Sequence, residues 1–83
     1  MFEETRAVWH EALAKHYSDI ACKQSDSLEQ LHYFHASLDR YHKAIALLEK
    51  AEQQARRRNQ PTKDLQTKIS DLRKECSTLV VFD

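Results

Sequence analysis

The sequence predicts an all-α fold, either a three-helix antiparallel bundle or a helical hairpin with a third helix. The 83-residue chain has no glycine and a single proline, and 31% of its residues are charged, which is a helical composition. Apolar residues in the middle of the chain also follow a heptad pattern. A chain this short is expected to form one domain, residues 1–83, with a thin core.

The first helix is expected over residues 3–23. Glu3 and Glu4 fall in its first turn, where the helix macrodipole favours negative charge. Its apolar residues recur close to the helical period and predict one buried face. This stripe consists of Val8, Trp9, Ala12, Leu13, Tyr17 and Ile20, with His16 beside it.

The second helix is expected over residues 27–58 and has the clearest pattern in the chain. The polar segment before it contains two overlapping capping signals, Asp26 with Glu29 and Ser27 with Gln30. Steps of three and four then define an apolar seam, which we expect to cover helix one. The seam residues are Leu31, Phe34, Leu38, Tyr41, Ile45 and Leu48.

A weaker apolar stripe lies on roughly the opposite side of the same helix, and we expect it to cover helix three or a partner helix. A helix with two apolar faces is either enclosed by its own fold or shared with another molecule. Helices one and three could lie on opposite sides of helix two, as an open layer. They could also lie on the same side as a closed bundle, which leaves the second stripe free. The predicted partner-binding residues are Tyr33, Ala44, Leu47 and Ala51, with His35 and His42 at the rim.

The third helix is expected over residues 61–79. Asn59 can adopt a left-handed conformation that ends helix two, and Pro61 blocks its continuation and suits the first position of the next helix. The apolar pattern then resumes through Leu65, Ile69, Leu72, Cys76 and Leu79. The final TLVVFD predicts an extended apolar tail, which either folds over an open end of the core or contacts a partner.

The histidines of helix two do not have the spacing of a metal site. His35 and His42 lie seven residues apart, about 10 Å along a helix, which is too far to chelate one ion. His32 and His35 would need further ligands from elsewhere, and no HExxH motif is present. Oxyanion turns and phosphate loops generally use glycine, which the chain lacks. We therefore expect a non-enzyme without catalytic residues, metal or cofactor.

Charge and cysteine usage favour a protein partner in the cytoplasm. Thirteen basic residues balance thirteen acidic ones, so no net charge attracts nucleic acid or an anionic membrane. No apolar run approaches the ~20 residues of a membrane span. Cys22 and Cys76 have no motif spacing, and no secretory leader precedes them, which favours buried free thiols in a reducing compartment. A disulfide between them would require two helix ends to meet.

The segment EALAKHYSDI, followed after a polar turn by EQLHYFHASLDRYHKAIALL, resembles the small helical-hairpin co-chaperones of bacterial type III secretion systems. Gln30, Phe34 and residues 44–48 are similar to the second helix of that family. The resemblance implies a hairpin that performs no chemistry and docks one helix face onto a helical-repeat partner chaperone.

The segment RYHKAIALLEKAEQQA also resembles the second helix of a tetratricopeptide repeat or of a microtubule-interacting-and-trafficking domain, and LQTKISDLRKEC would suit the third helix of the latter. That resemblance implies an adaptor that binds a short partner helix in a groove between its helices. Both resemblances imply a non-catalytic helical module that buries the amphipathic helix of another protein. The second apolar stripe of helix two also allows a homo-oligomer.

Overall fold

The computed structural model describes residues 2–80, which form three helices and no strand. These are α1, Phe2–Lys23; α2, Ser27–Arg57; and α3, Lys63–Val80. The all-α prediction is confirmed. Helix α3 begins two residues later than expected, so Pro61 lies in the connection before it. The predicted extended tail is wrong for residues 78–80, which continue α3, and its residues 81–83 lie outside the described part of the chain.

The turn between α1 and α2 is fixed by two polar side chains. Asp26 is the N-cap of α2, and its Oδ1 accepts a hydrogen bond from the Leu28 amide at 3.1 Å, as the first capping signal predicts. Gln30 donates from Nε2 to the carbonyl oxygen of Ala21 at 3.2 Å. The first turn of α2 is therefore tied directly to the end of α1.

The end of α2 has the hydrogen-bond pattern of a Schellman motif. Asn59 has φ of 57°, as predicted for a left-handed C-terminal residue. The Gln60 amide donates to the Ala55 carbonyl at 2.8 Å, and the Asn59 amide donates to the Arg56 carbonyl at 3.1 Å. This motif ends α2 and turns the chain back, so α3 runs antiparallel to α2.

Helices α1 and α2 pack through small side chains, which we call the small-residue seam: Ala7, Ala14 and Ala21 of α1 with Ser37 and Ala44 of α2. Ala14 and Ser37 are both 0% exposed. The Ser37 hydroxyl donates to the Ala14 carbonyl oxygen at 2.7 Å. A side chain as short as serine can reach a backbone carbonyl of the facing helix only when the two helices approach closely.

The predicted apolar stripe of α1 is wrong as a core face. The buried residues are Ala7, His10, Ala14 and Ala21, whereas Val8, Trp9 and Ala12 are exposed, and Leu13, Tyr17 and Ile20 are half-buried. The close approach of α1 to α2 leaves no room for large side chains at the centre of the interface. The large apolar residues of α1 therefore lie at the edges of the interface or outside it.

The expected partners of the two α2 stripes are reversed. In the predicted apolar seam of α2, four residues are buried: Phe34, Tyr41, Ile45 and Leu48. Leu38 is half-buried, and Leu31 is 38% exposed. Helix α3 lies on the Ile45 side, where Arg73 Nη2 donates to Glu49 Oε2 at 3.3 Å. Helix α1 lies on the other side, where Ser37 and Tyr33 contact it.

Helix α3 covers the core with the residues that its pattern predicts. Ile69, Leu72, Cys76 and Leu79 are buried, and Leu65 is half-buried. Both cysteines are free thiols. Burial raises the pKa of Cys76, with a smaller contribution from the neighbouring Glu75. Cys22 is exposed, so the expectation of a buried thiol is wrong at this position.

The three helices form an opened bundle, intermediate between the two predicted arrangements. No Cα atom of α1 lies within 8 Å of one in α3 across the described part of the chain. The two helices are joined by a side-chain ion pair, Glu11 Oε1 to Lys68 Nζ at 2.7 Å. The resulting molecule is elongated, with principal extents of 49 × 21 × 13 Å.

Replacing Ala14 by leucine should lower the free energy of unfolding by about 1–3 kcal/mol, because the larger side chain cannot fit in the small-residue seam. Urea denaturation measures the effect. Ala12→Leu is the matched control, since Ala12 is exposed on the same helix and the substitution is the same. Equal stability of the two variants would contradict close packing at Ala14.

Candidate functional site

Helices α1 and α2 share a broad face turned away from α3, which we call the outer face. Glu11 contacts α3 through Lys68, and at about 100° per residue Trp9 lies on the opposite side of α1 from Glu11. The apolar members of the outer face are Trp9, Leu13, Tyr17 and Ile20 of α1 with Tyr33, Ala36 and Leu47 of α2. Six of these seven side chains are half-buried, and Trp9 is 57% exposed. The outer face is therefore partly apolar and open to contact.

Two aromatic contacts fix side chains of the outer face in place. The rings of Tyr17 and Tyr33 stack across the two helices, with centroids 6.3 Å apart and an interplanar angle of 29°. The Arg40 guanidinium carbon lies 5.3 Å from the centroid of the Trp9 ring, as a cation–π contact. Rigid, partly exposed aromatic rings are the usual anchors of protein interfaces.

Arg40, which contacts Trp9, also forms a hydrogen bond with the buried His10. Arg40 Nη1 donates to His10 Nδ1 at 3.1 Å. Because a guanidinium has no acceptor atom, Nδ1 must be the unprotonated nitrogen, and the imidazole is neutral. Burial lowers the pKa of His10, and the positive charges of Arg40, Lys43 and Arg6 lower it further, against a smaller opposing effect of Asp39.

A shallow depression of about 410 Å³ lies beside these groups, between α1 and α2. It is lined by Arg6, His10, Lys43, Ala46 and Leu47. Its lining therefore combines two cationic side chains, Arg6 and Lys43, with the apolar Ala46 and Leu47. The outer face thus joins a stripe of aromatic and aliphatic residues to a positively charged end.

A second concave surface, the α1/α3 groove, has a volume of about 380 Å³. Its lining combines apolar and acidic residues, among them Ala7, Val8, Leu48, Ala55, Pro61 and Leu65 with Glu4, Glu11 and Asp64. Glu11 binds Lys68 and also Lys15, the latter at 3.0 Å. Partial burial raises the pKa of Glu11, but hydrogen bonds from the two lysines outweigh it and hold that pKa below its usual value.

The structure places the six predicted partner-binding residues in three different environments. Ala44 and Ala51 are buried in the core of the chain, where a partner docking onto the folded protein does not reach them. Tyr33 and Leu47 are half-buried on the outer face. His35 and His42 are exposed elsewhere on α2. Partner contact remains a prediction for these last four residues.

Sequence reasoning missed Trp9, His10 and Arg40 as members of one cluster. The helical period predicts Trp9 in the core, and the sequence pattern indicates no role for the other two. The signal was present in part, since apolar residues 9, 13, 17 and 20 follow a helical stripe. The sequence did not reveal that this stripe and Tyr33 lie side by side on one face.

The described residues offer contact surfaces and show no metal centre. Across residues 2–80, no group of three or more His, Cys, Asp or Glu side chains is close enough to hold a metal ion.

Burial raises the pKa of Tyr41 to about 12, so its phenol stays protonated at neutral pH. None of the helices in residues 2–80 is both long and apolar enough to cross a bilayer.

Comparison with known proteins gives no relative: no family model, no curated protein and no solved structure matches this chain.

The neutral His10 should make the fold less stable in acid. Its pKa is lower in the folded than in the unfolded state, so the unfolded chain binds the extra proton first, and stability falls as the pH drops below the unfolded value near 6.5. We expect the melting temperature to fall between about pH 7.5 and about pH 5.5, and to fall less in His10→Gln.

An identical pH dependence in the wild type and in His10→Gln would contradict a neutral, buried imidazole.

Proposed function

We propose that this chain is a non-catalytic protein-binding module that buries an amphipathic helix of a partner protein, as a small secretion-type co-chaperone does. The observation that supports this proposal is the outer face, where two helices present neighbouring aromatic and aliphatic side chains with Trp9 mostly exposed. A helix that lies along this face would cover the stripe from Trp9 to Ile20.

The chemistry of the outer face suits an interface better than a purely solvated surface. Interfaces are enriched in tyrosine, tryptophan and arginine, and all three contribute here through Tyr17, Trp9 and Arg40. Their ring contacts hold them in position before a partner arrives. Such preorganisation reduces the side-chain entropy that binding would otherwise cost.

A trafficking-type or tetratricopeptide-like adaptor is the second candidate, and the α1/α3 groove favours it. The groove lies between two helices of a three-helix bundle and has apolar walls from Val8 and Leu65. A short helical motif could insert its apolar side chains there. The two candidates therefore place the partner on different surfaces of α1.

Titration with a designed peptide separates the two candidates. The peptide is a helix of about four turns with leucines along one face and glutamine elsewhere, so that it has no net side-chain charge. Binding is followed by amide chemical shifts in NMR spectra. Binding on the outer face should shift the amides near residues 9, 13, 17, 20, 33 and 47. Shifts confined to the amides of residues 8, 60 and 65 would support the adaptor instead.

A matched pair of substitutions provides a second test. Val8 and Trp9 are adjacent, and they are 64% and 57% exposed. Val8 lines the α1/α3 groove, whereas Trp9 belongs to the outer face. Trp9→Ala should weaken peptide binding at least tenfold, a loss of about 1.4 kcal/mol, and Val8→Ala should have little effect. The reverse result would favour the groove, and no binding of the peptide by any variant would contradict both candidates.

A further inference from the structure

We propose that the outer face selects a partner helix with acidic side chains, whose carboxylates are received by the cationic end formed by Arg6, Arg40 and Lys43. This inference rests on the proposed function and adds to it the chemistry of the partner. Arg6 and Lys43 line one depression together with the apolar Leu47. Arg40 lies next to this depression, because it binds His10, which also lines it. A partner residue there would meet positive charge and apolar surface together.

Arg40 is oriented for this role by neutral groups. Within residues 2–80 its side chain contacts the His10 imidazole and the Trp9 ring, neither of which bears a negative charge. The Asp39 carboxylate interacts with it only through the electrostatic field and forms no ion pair with it. A guanidinium has five N–H donors in a planar fork that matches the geometry of a carboxylate. One of its nitrogens is engaged by His10, so donors remain for a carboxylate from outside.

The charges of the neighbouring cations are only partly balanced within the chain. Lys43 Nζ lies 3.0 Å from Asp39 Oδ2 on the same helix. Arg6 has no carboxylate within ion-pair distance among residues 2–80, and its side chain is exposed. Burial lowers the pKa of His10 most, and the positive charges of Arg40, Lys43 and Arg6 lower it further, against a smaller opposing effect of Asp39. An incoming carboxylate would reduce the mutual repulsion of the three cations.

The opposite charge of the α1/α3 groove strengthens the choice of an acidic partner for the outer face. That groove is lined by Glu4, Glu11 and Asp64, with Lys68 as its one basic lining residue. The two concave surfaces of α1 therefore favour helices of opposite charge. Electrostatic complementarity of this kind sets partner choice and association rate more than total affinity.

Two charged versions of the leucine-faced peptide test the inference. One has glutamate and the other has lysine at the positions that flank the leucines. Trp9 is the only tryptophan of the chain and contacts Arg40 of the cationic end, so its fluorescence reports binding to the wild-type protein directly. The glutamate peptide should bind roughly tenfold more tightly than the lysine peptide at low salt. Raising the salt concentration should reduce that difference.

Substitution of the cations should remove the preference for the glutamate peptide over the lysine peptide without abolishing peptide binding. Arg6→Gln should weaken binding of the glutamate peptide several-fold and leave binding of the neutral glutamine peptide unaffected. Arg40→Gln should weaken the glutamate peptide more than the neutral one, because Arg40 also contacts Trp9. Circular dichroism confirms that both variants fold. Arg73→Gln is the matched control, because Arg73 is an exposed arginine that pairs with Glu49 on the α3 side. It should leave the preference for glutamate intact.

The outcomes distinguish this inference from the proposed function. If the neutral peptide binds the outer face but the two charged peptides bind equally, or the lysine peptide binds more tightly, the acidic partner is ruled out and the binding module stands. A preference for the glutamate peptide that persists in the double variant Arg6→Gln with Arg40→Gln would also overturn the inference of an acidic partner. Failure of every peptide to bind would overturn both.

Discussion

The close packing of α1 against α2 is the constraint on which the rest of the structure depends. Alanines at intervals of seven in α1 face Ser37 and Ala44, and the 2.7 Å hydrogen bond from Ser37 to the Ala14 carbonyl needs both backbones to be near. Buried polar groups are costly unless they are hydrogen-bonded, so this bond also fixes the register of the two helices. Once the register is set, the positions of all other side chains on the hairpin follow.

The small-residue seam also determines which groups the molecule presents to its surroundings. Because large side chains are excluded from the centre of the interface, Trp9, Tyr17 and Tyr33 lie at its edge and contact each other or Arg40. Helix α3 covers the opposite side of the hairpin, and it approaches α1 only through side chains. One side of the hairpin is therefore closed by the chain itself, and the other offers aromatic rings and positive charge.

The order of the helices, the start of α2, the end of α2 and the buried face of α3 could be predicted from local signals, whereas the limits of α3 could not. Asp26 and Asn59 act on the backbone nearest to them, so their capping roles are visible in a few residues of sequence. The core face of α1 could not be predicted in this way, because Ala14 is weakly apolar and its burial depends on how closely another helix approaches. The Arg40–His10–Trp9 cluster was missed for the same reason, since its members come from two helices and their contact depends on the register between them.

Native-state hydrogen exchange tests the central role of the small-residue seam most directly, because it compares the stability of the three helices within one intact protein. If the seam holds the fold together, the amides of α1 and α2 beside Ala14 and Ser37 exchange last and in one cooperative step. The amides of α3 then exchange earlier, through a smaller opening. Exchange of α1 by such a smaller opening, while α2 and α3 remain protected together, would contradict this account.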